Sequence, residues 1–453
     1  MPIEAVIVLV LFASYVSCRS CDASLLRSLP IDNHPSYVPL GLGMLLAAAV
    51  LVPNLTAPFL SDDYILIRTE LPALSQFCKW FWIYHPGDGA FRPLGSLYFA
   101  AMRQIAGVDA LPWHCAGLGL HLLNSLLTWC IARELWRDTG MAVLSAVLFG
   151  IHGTRAETVS WAAASFDLLA TFCVLLSLLV FFKGGRRWLT WPLALLLFVA
   201  GVLFKESAYA YPLLLLALAV AADRLRRPVL VFAGLAFIVC GALVLHRWML
   251  LNGPGGYIDS QTGRPLILSL HFLSTAKALF LRIWVILFFP INWHARMSAV
   301  TAAGIWLGSI ALSSALIAAR RVKPVIALGL LGSVILAVLP AVHVSLIGDD
   351  ALGGRILYLP SLGFILFISM ALTVASRPDG RMRRYARAAF VVLYFGVSIT
   401  HNLNAWRSTA RIADASCAAA ARDVHNSPQP PGRLNGVYFF QNGFAECVET
   451  KRK

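Results

Sequence analysis

Apolar runs long enough to cross a bilayer recur along this chain from residue 38 to residue 404. Lipid offers no hydrogen-bond partner to a bare backbone, so only helices and closed barrels cross it. These runs are continuously apolar, without the alternation of barrel strands, so they read as helices. The composition agrees: 59% of residues are hydrophobic and 13% charged, with a mean hydropathy of +0.74. A soluble domain carries roughly 45–50% apolar and about 25% charged residues. A net charge of +15 is compatible with nucleic-acid binding, but the basic residues sit in short loops between apolar runs. That is the pattern that orients membrane proteins, and it excludes a nucleic-acid partner.

The spans fall near 38–57, 113–132, 141–155, 166–182, 188–204, 207–222, 229–250, 301–319, 324–340, 356–375 and 388–404. Loops carrying Arg133/Arg137, Lys183/Arg186/Arg187, Arg224/Arg226/Arg227, Arg320/Arg321/Lys323 and Arg377/Arg381/Arg383/Arg384/Arg387 then share one side, the cytoplasmic one. Residues 265–289 are apolar enough to cross, but a crossing there would invert every later loop. His271, Lys277 and Arg282 make this segment amphipathic, so it reads as an interfacial or re-entrant helix. The expectation is an all-α polytopic membrane protein of about eleven transmembrane helices.

Outside the spans, residues 58–112 form a long external loop. Trp80, Trp82, Tyr84 and Tyr98 suit a headgroup belt, and two amphipathic juxtamembrane helices are expected there. Residues 1–37 form an N-terminal segment whose short apolar run, 3–17, reads as an extra short helix; no Lys or Arg precedes it, as a signal peptide requires. Residues 38–404 make the membrane domain and 405–453 an external tail. In the tail, Asn435-Gly436 and Asn442-Gly443 are turn signals bounding a short β-strand. Cys417 and Cys447 are placed to pair if the tail faces an oxidising compartment, whereas Cys18-Arg-Ser-Cys21 is a lone C-x-x-C.

This topology forces widely separated polar residues to the non-cytoplasmic face. They are Asp62 and Asp63 (FLSDDY), His152, Arg155, Glu157 and Asp167 (IHGTRAETVSWAAASFDLL), Lys205 and Glu206 (FKES), and Asp349, Asp350, Arg355 and Tyr358 (GDDALGGRILYLPSLGF). Adjacent carboxylates would cost about 3 kcal/mol each in mid-bilayer, but an interface tolerates them. Bland roles stand beside the functional ones: Asp62, Asp63 and Asp167 open helices and could cap them, Glu157 could pair with Arg155, and His114 and His121 read as packing.

Taken in order, FLSDDY, FRPL, HLLNSLL, IHGTRAETVSWAAASFDLL, FKES and GRILYLPSLGF resemble the polytopic glycosyltransferases of the GT-C superfamily. The likeness is strongest to the transmembrane O-mannosyltransferases that carry tetratricopeptide repeats, and wider to protein O-mannosyltransferases and the aminoarabinose transferase acting on lipid A. It spans residues 38–375; the repeats are absent, Gly153 replaces a usual Pro, and Ser165 replaces a usual Arg.

The resemblance implies a polyprenyl-phosphate sugar donor, mannose-like, and a hydroxyl acceptor on protein, lipid or glycan. It maps the catalytic acids onto Asp62, Asp63 and Asp167, and the phosphate-side cations onto Lys205 and Arg355. His152, Glu157, Arg92 and Tyr358 complete the expected substrate contacts, and Asp62 with Asp167 are the expected ligands of a divalent cation (Mg, Mn or Zn). An anionic phosphate leaving group needs cationic stabilisation more than a general acid, and the acceptor hydroxyl needs a base, for which Asp62 is the first candidate. The expected setting is a bacterial inner membrane with the site facing the periplasm, ahead of an endoplasmic-reticulum lumen. A cell-surface polysaccharide ligase or polymerase, and a secondary transporter or lipid flippase, are the alternatives. A transporter places its charges at mid-membrane, whereas here they crowd one surface.

Overall fold

A computed structural model describes residues 37–70, 90–253, 255, 272–319, 322–340, 353–374, 381–422, 433–438 and 441–452. The apolar run 3–17, the aromatic stretch 72–84, Cys18 and Cys21, and Asp349 and Asp350 lie outside these residues. The helices are α1 (Val38–Leu51), α2 (Asp63–Leu66), α3 (Pro93–Ala106), α4 (Ala110–Trp136), α5 (Thr139–Ile151), α6 (Arg155–Ser160), α7 (Ser165–Lys183), α8 (Arg187–Phe204) and α9 (Tyr211–Ala221). They continue with α10 (Arg227–Leu251), α11 (Phe272–Lys277), α12 (Ile283–Phe288), α13 (Ala299–Ala319), α14 (Pro324–Val338), α15 (Ser361–Val374), α16 (Arg381–Arg422) and α17 (Gln441–Arg452). A π turn, Ala278–Arg282, joins α11 to α12.

Local chemistry sets the boundaries. Asp109 accepts from Leu111 N at 3.1 Å and Asp138 from Met141 N at 2.8 Å, so α4 and α5 begin on N-caps. Proline occupies the first turn of α1, α3, α9, α10 and α14, where its missing N–H costs nothing. Among the described residues, six helical stretches are long and apolar enough to cross a membrane: Val38–Thr56, Ala110–Trp136, Ala162–Lys183, Arg187–Phe204, Arg227–Leu251 and Tyr385–Arg422. Shorter apolar helices, Thr139–Ile151, Glu206–Ala221, Ala299–Ile310, Pro324–Val338 and Ser361–Thr373, occupy the remaining expected spans. The structure is thus a helical, multi-pass membrane bundle in which length alone supports six crossings.

The bundle has two chemically distinct ends. At one, Arg224 of the α9–α10 loop pairs with Glu134 of α4 at 2.9 Å and donates to the Phe182 carbonyl of α7 at 3.5 Å, which gathers three basic loops. At the other lie Asp62, His152, Asp167, Lys205 and Arg355. The chain leaves α10 at this second end, where Arg247 meets Glu206. It enters α13 from the same end, where Leu287 O meets His152 and Asn292 meets Asn402. Residues 252–298 therefore start and finish on one side of the bundle. Helix α3 has 14 residues, about 21 Å of helix, short of the roughly 30 Å core of a bilayer. It packs against α4, α7 and α8 at the polar end.

Buried polar groups tie the helices. His121 of α4 bonds the Tyr358 hydroxyl at 2.7 Å and the Gly150 carbonyl of α5 at 2.9 Å, and Asn124 donates to Leu168 O of α7 at 3.0 Å. Beyond α16 the chain forms a two-residue antiparallel ladder, β1 (Arg433–Leu434) with β2 (Val437–Tyr438). Asn435 and Gly436, at φ 51° and 74°, make its turn. Asn442-Gly443, expected as the turn bounding the strand on its far side, lies instead in the first turn of helix α17.

Candidate active site

The acidic loop is held from both sides. Ser61 takes a left-handed φ of 58° and turns the chain into α2. Trp161 Nε1 donates to Leu60 O at 3.0 Å. Asp63 is fully buried; its carboxylate accepts from Leu60 N at 3.1 Å and from Ala163 N at 2.7 Å. It fastens the loop to the 3-10 turn Ala162–Ala164 that precedes α7. Asp62 makes no capping hydrogen bond, is partly exposed, and lies within electrostatic reach of Arg355.

A cluster of cations surrounds this loop. Lys205, in the extended link after α8, meets Asp167 of α7 at 2.5 Å. Arg355 lies over the Trp161 ring at 4.2 Å, and Glu157 accepts from its backbone N at 2.9 Å and from its guanidinium at 3.4 Å. Arg92, at the start of α3, grips Glu206 with bonds of 2.7 and 2.9 Å and stacks 5.3 Å from the Phe166 ring. Arg247 of α10 holds the same Glu206 at 2.9 Å. Arg92 and Arg355 both repel the charge on Lys205, so the three cations share one local field.

Burial, modified by that field, sets the protonation of the site. Burial raises the Asp62 carboxyl above the ordinary carboxylate range, and Arg355 opposes the rise. Burial likewise pushes Asp63 up to about 8, against the pull of its backbone N–H donors. For Lys205, burial leads and the repulsion of Arg92 and Arg355 adds, drawing it down to about 8 despite Asp167. A carboxylate whose burial strengthens it as a base, beside cations, is equipped to take a hydroxyl proton near an anion.

The expected residues divide accordingly. Asp62, Asp167, Lys205, Arg355, Glu157 and Arg92 come together. Two others are enclosed: His152 is fully buried between Thr154 Oγ1 (2.8 Å), Leu287 O (2.9 Å) and the Phe395 ring, and the Tyr358 hydroxyl is spent on His121 and Asn124. Both brace the walls of the site rather than open onto it. Glu157 pairs with Arg355, not with its helical neighbour Arg155. Arg155 is buried instead between the Phe149 and Tyr358 rings, at 4.2 and 4.6 Å, and donates to Ser361 at 2.5 Å. Gly153 stands against Pro290: a Cβ there would sit 2.1 Å from Pro290 O, so no bulkier residue fits this packing. Arg247 was missed by motif reading, although a cation inside an apolar span is itself a signal.

Among the described residues, the donor set does not form a divalent-cation site. Asp167 already faces the Lys205 ammonium, and among the described residues no three His, Cys, Asp or Glu side chains converge. The positive charge at this site is supplied by side chains.

The C-terminal residues close over the loop. Cys417 of α16 is disulfide-bonded to Cys447 of α17. Arg68 reaches Glu449 at 2.6 Å and the Glu446 carbonyl at 2.7 Å, and the Tyr64 hydroxyl bonds Asp414 at 3.3 Å. Gly443 packs so tightly on Ser61 that a Cβ would fall 2.2 Å from its carbonyl oxygen.

No family model matches the chain. Residues of the chain align with fruit-fly (Drosophila melanogaster) protein O-mannosyl-transferase Tmtc1 at 29% identity over 176 residues and with Tmtc2 at 31% over 189. Each alignment covers 36% of this chain and 20% or 19% of the relative, so the match spans about a fifth of those proteins' length. Among solved structures, the oligosaccharyltransferase AglB from Archaeoglobus fulgidus, in complex with an inhibitory peptide and a dolichol-phosphate, superposes with a TM-score of 0.52. That superposition covers 92% of this chain and 63% of AglB at 14% identity. The fold is similar to that of this oligosaccharyltransferase. The named sequence relatives are O-mannosyltransferases, which agrees with the resemblance carried by the motifs.

Proposed function

We propose that this protein is a membrane glycosyltransferase that moves a mannosyl group from a polyprenyl-phosphate donor to a hydroxyl of a protein acceptor, on the non-cytoplasmic face. The observation that carries the reading is the convergence of Asp62 with Arg92, Lys205 and Arg355 at one end of a GT-C bundle. The mannosyl group and protein acceptor follow from the names of the Tmtc relatives. The polyprenyl phosphate follows from the lipid bound to AglB.

In this reading Asp62 accepts the acceptor proton as the hydroxyl oxygen attacks the anomeric carbon. The bond from that carbon to the phosphate oxygen breaks, its electron pair leaves with the phosphate, and the configuration inverts. Lys205, Arg355 and Arg92 meet the negative charge gathering on the phosphate, where aligned cations contribute most. Asp63 and Glu157 position the loop and Arg355. The disulfide Cys417–Cys447 supports an oxidising compartment for this end, and the basic loops at the other end support a cytoplasmic setting for theirs.

The test is transfer by purified full-length protein in nanodiscs, from polyprenyl-phosphate mannose to a Ser/Thr peptide. Asp62→Asn is expected to lose roughly 10²–10⁴-fold in rate while still binding donor. Unchanged turnover in Asp62→Asn would remove the base assignment, and absence of donor binding in the wild type would remove the reading itself.

A further inference from the structure

A cavity of the bundle has none of the acidic-loop residues in its lining. It has a volume of about 740 Å³ and runs between α1, α13 and α16. Its lining is mostly apolar, with Leu46, Val50, Val392 and Val397 in it, and reaches along α16 from Ala389 to Ser408. At 1.5 Å per residue that is roughly 28 Å, close to the thickness of a bilayer's hydrocarbon. The rim differs from the rest. Arg296, Asn404 and Ser408 line the end that lies with the polar face of the bundle, and Arg407 donates to Asn404 beside them. No Asp or Glu lines the cavity, and Arg296 is exposed without an ion pair among the described residues.

An apolar trough of membrane length under a cationic, hydrogen-bonding rim matches one ligand chemistry: a hydrocarbon chain joined to a phosphate. We propose that this groove binds a bilayer glycerophospholipid with an anionic headgroup, one acyl chain lying along α16 and the phosphate meeting Arg296 and Arg407. The sugar donor shares that chemistry, but the groove contains none of Asp62, Arg92, Lys205 or Arg355. Arg355 lies instead over Trp161, whose ring packs on Trp406 of α16 with centroids 6.3 Å apart, and neither tryptophan lines the groove. The rim residues are thus distinct from the acid–base cluster. The inference does not depend on the proposed reaction.

Because the chain trades lipid for protein contact, its burial brings little gain; headgroup charge decides which lipid is retained. Two cations near the headgroup correspond to a preference of roughly tenfold or more for an anionic over a zwitterionic lipid. The test uses full-length protein in detergent, equilibrated with equimolar phosphatidylglycerol and phosphatidylcholine, and counts retained lipid by native mass spectrometry. One retained phosphatidylglycerol is expected, with its preference reduced in Arg296→Gln. Gly396 lines the groove, and a Cβ there meets nothing within 4 Å. Gly396→Phe should therefore fold, as checked by size exclusion and helical content, yet lose the retained lipid. Equal retention of the two lipids, or an unchanged count in Gly396→Phe, overturns the proposal. So does displacement of the phosphatidylglycerol by one equivalent of polyprenyl phosphate, which would make the groove the substrate's own.

Discussion

Adjacent carboxylates have opposite roles here. Asp63 is enclosed and bonded to backbone N–H groups, while Asp62 stays open toward Arg355. Asp63→Asn keeps one acceptor and turns an NH₂ toward a donor, which should destabilise the protein by about 1–3 kcal/mol, read as a lower midpoint of thermal unfolding in detergent. The charges also predict the pH profile. Asp62 must be ionised to accept a proton, and burial raises its pKa, so the acidic limb of the rate should lie above the ordinary carboxylate range. Arg355 lowers that pKa, so Arg355→Gln should shift the limb to higher pH. Lys205 must be protonated to meet phosphate and is drawn down to about 8, which sets the alkaline limb. Asp167 raises it, so Asp167→Asn should bring that limb to lower pH. Rate against pH for the three proteins checks all of this. The gathering of these residues was legible in the sequence because basic loops fix the ends of the spans. Their division of labour was not: Asp62 and Asp63 are identical in kind, and only the 3-10 turn at Ala162–Ala164 decides which is bonded. The enclosure of His152 and Tyr358 depended on α12 and α4, far off in sequence.

Among the elements, α17 is the one that motif reading misjudged most. Its Asn442-Gly443 turn signal proved to be the first turn of a helix, and the glycine serves contact with Ser61 rather than a hairpin. The hairpin formed one signal earlier, at Asn435-Gly436, where both residues take positive φ. The pairing of Cys417 with Cys447 was readable from composition, since both lie in a polar tail; its role in seating α17 on the acidic loop was not. In Cys417→Ser, α17 should open more often and release the loop it covers. Faster amide hydrogen exchange across residues 60–67, with donor affinity retained and turnover lowered, is the expected result. Equal exchange in the two proteins would show that Arg68 and Tyr64 hold α17 unaided.

At the scale of the whole molecule, charge placement predicted which ends of the helices meet, and the Arg224–Glu134 pair and the Asp167–Lys205 pair stand at opposite ends of the bundle. Span number is harder to read, because helices such as Thr139–Ile151, with 13 residues, fall below the usual crossing length yet are apolar and enclosed by neighbours. Labelling intact cells with an impermeant thiol reagent checks the orientation: Val108→Cys, at the acidic end, should react, and Arg226→Cys should not. The seating of α17 also has a consequence in time. Arg68 and Glu449 are 381 positions apart, so at about 5–20 residues per second a ribosome needs roughly 20–75 s between them. During that interval the acidic loop exists without its cover. In the proposed reading, competence for transfer is therefore a late event in biogenesis, and a nascent chain stalled before α17 is expected to be membrane-inserted yet silent.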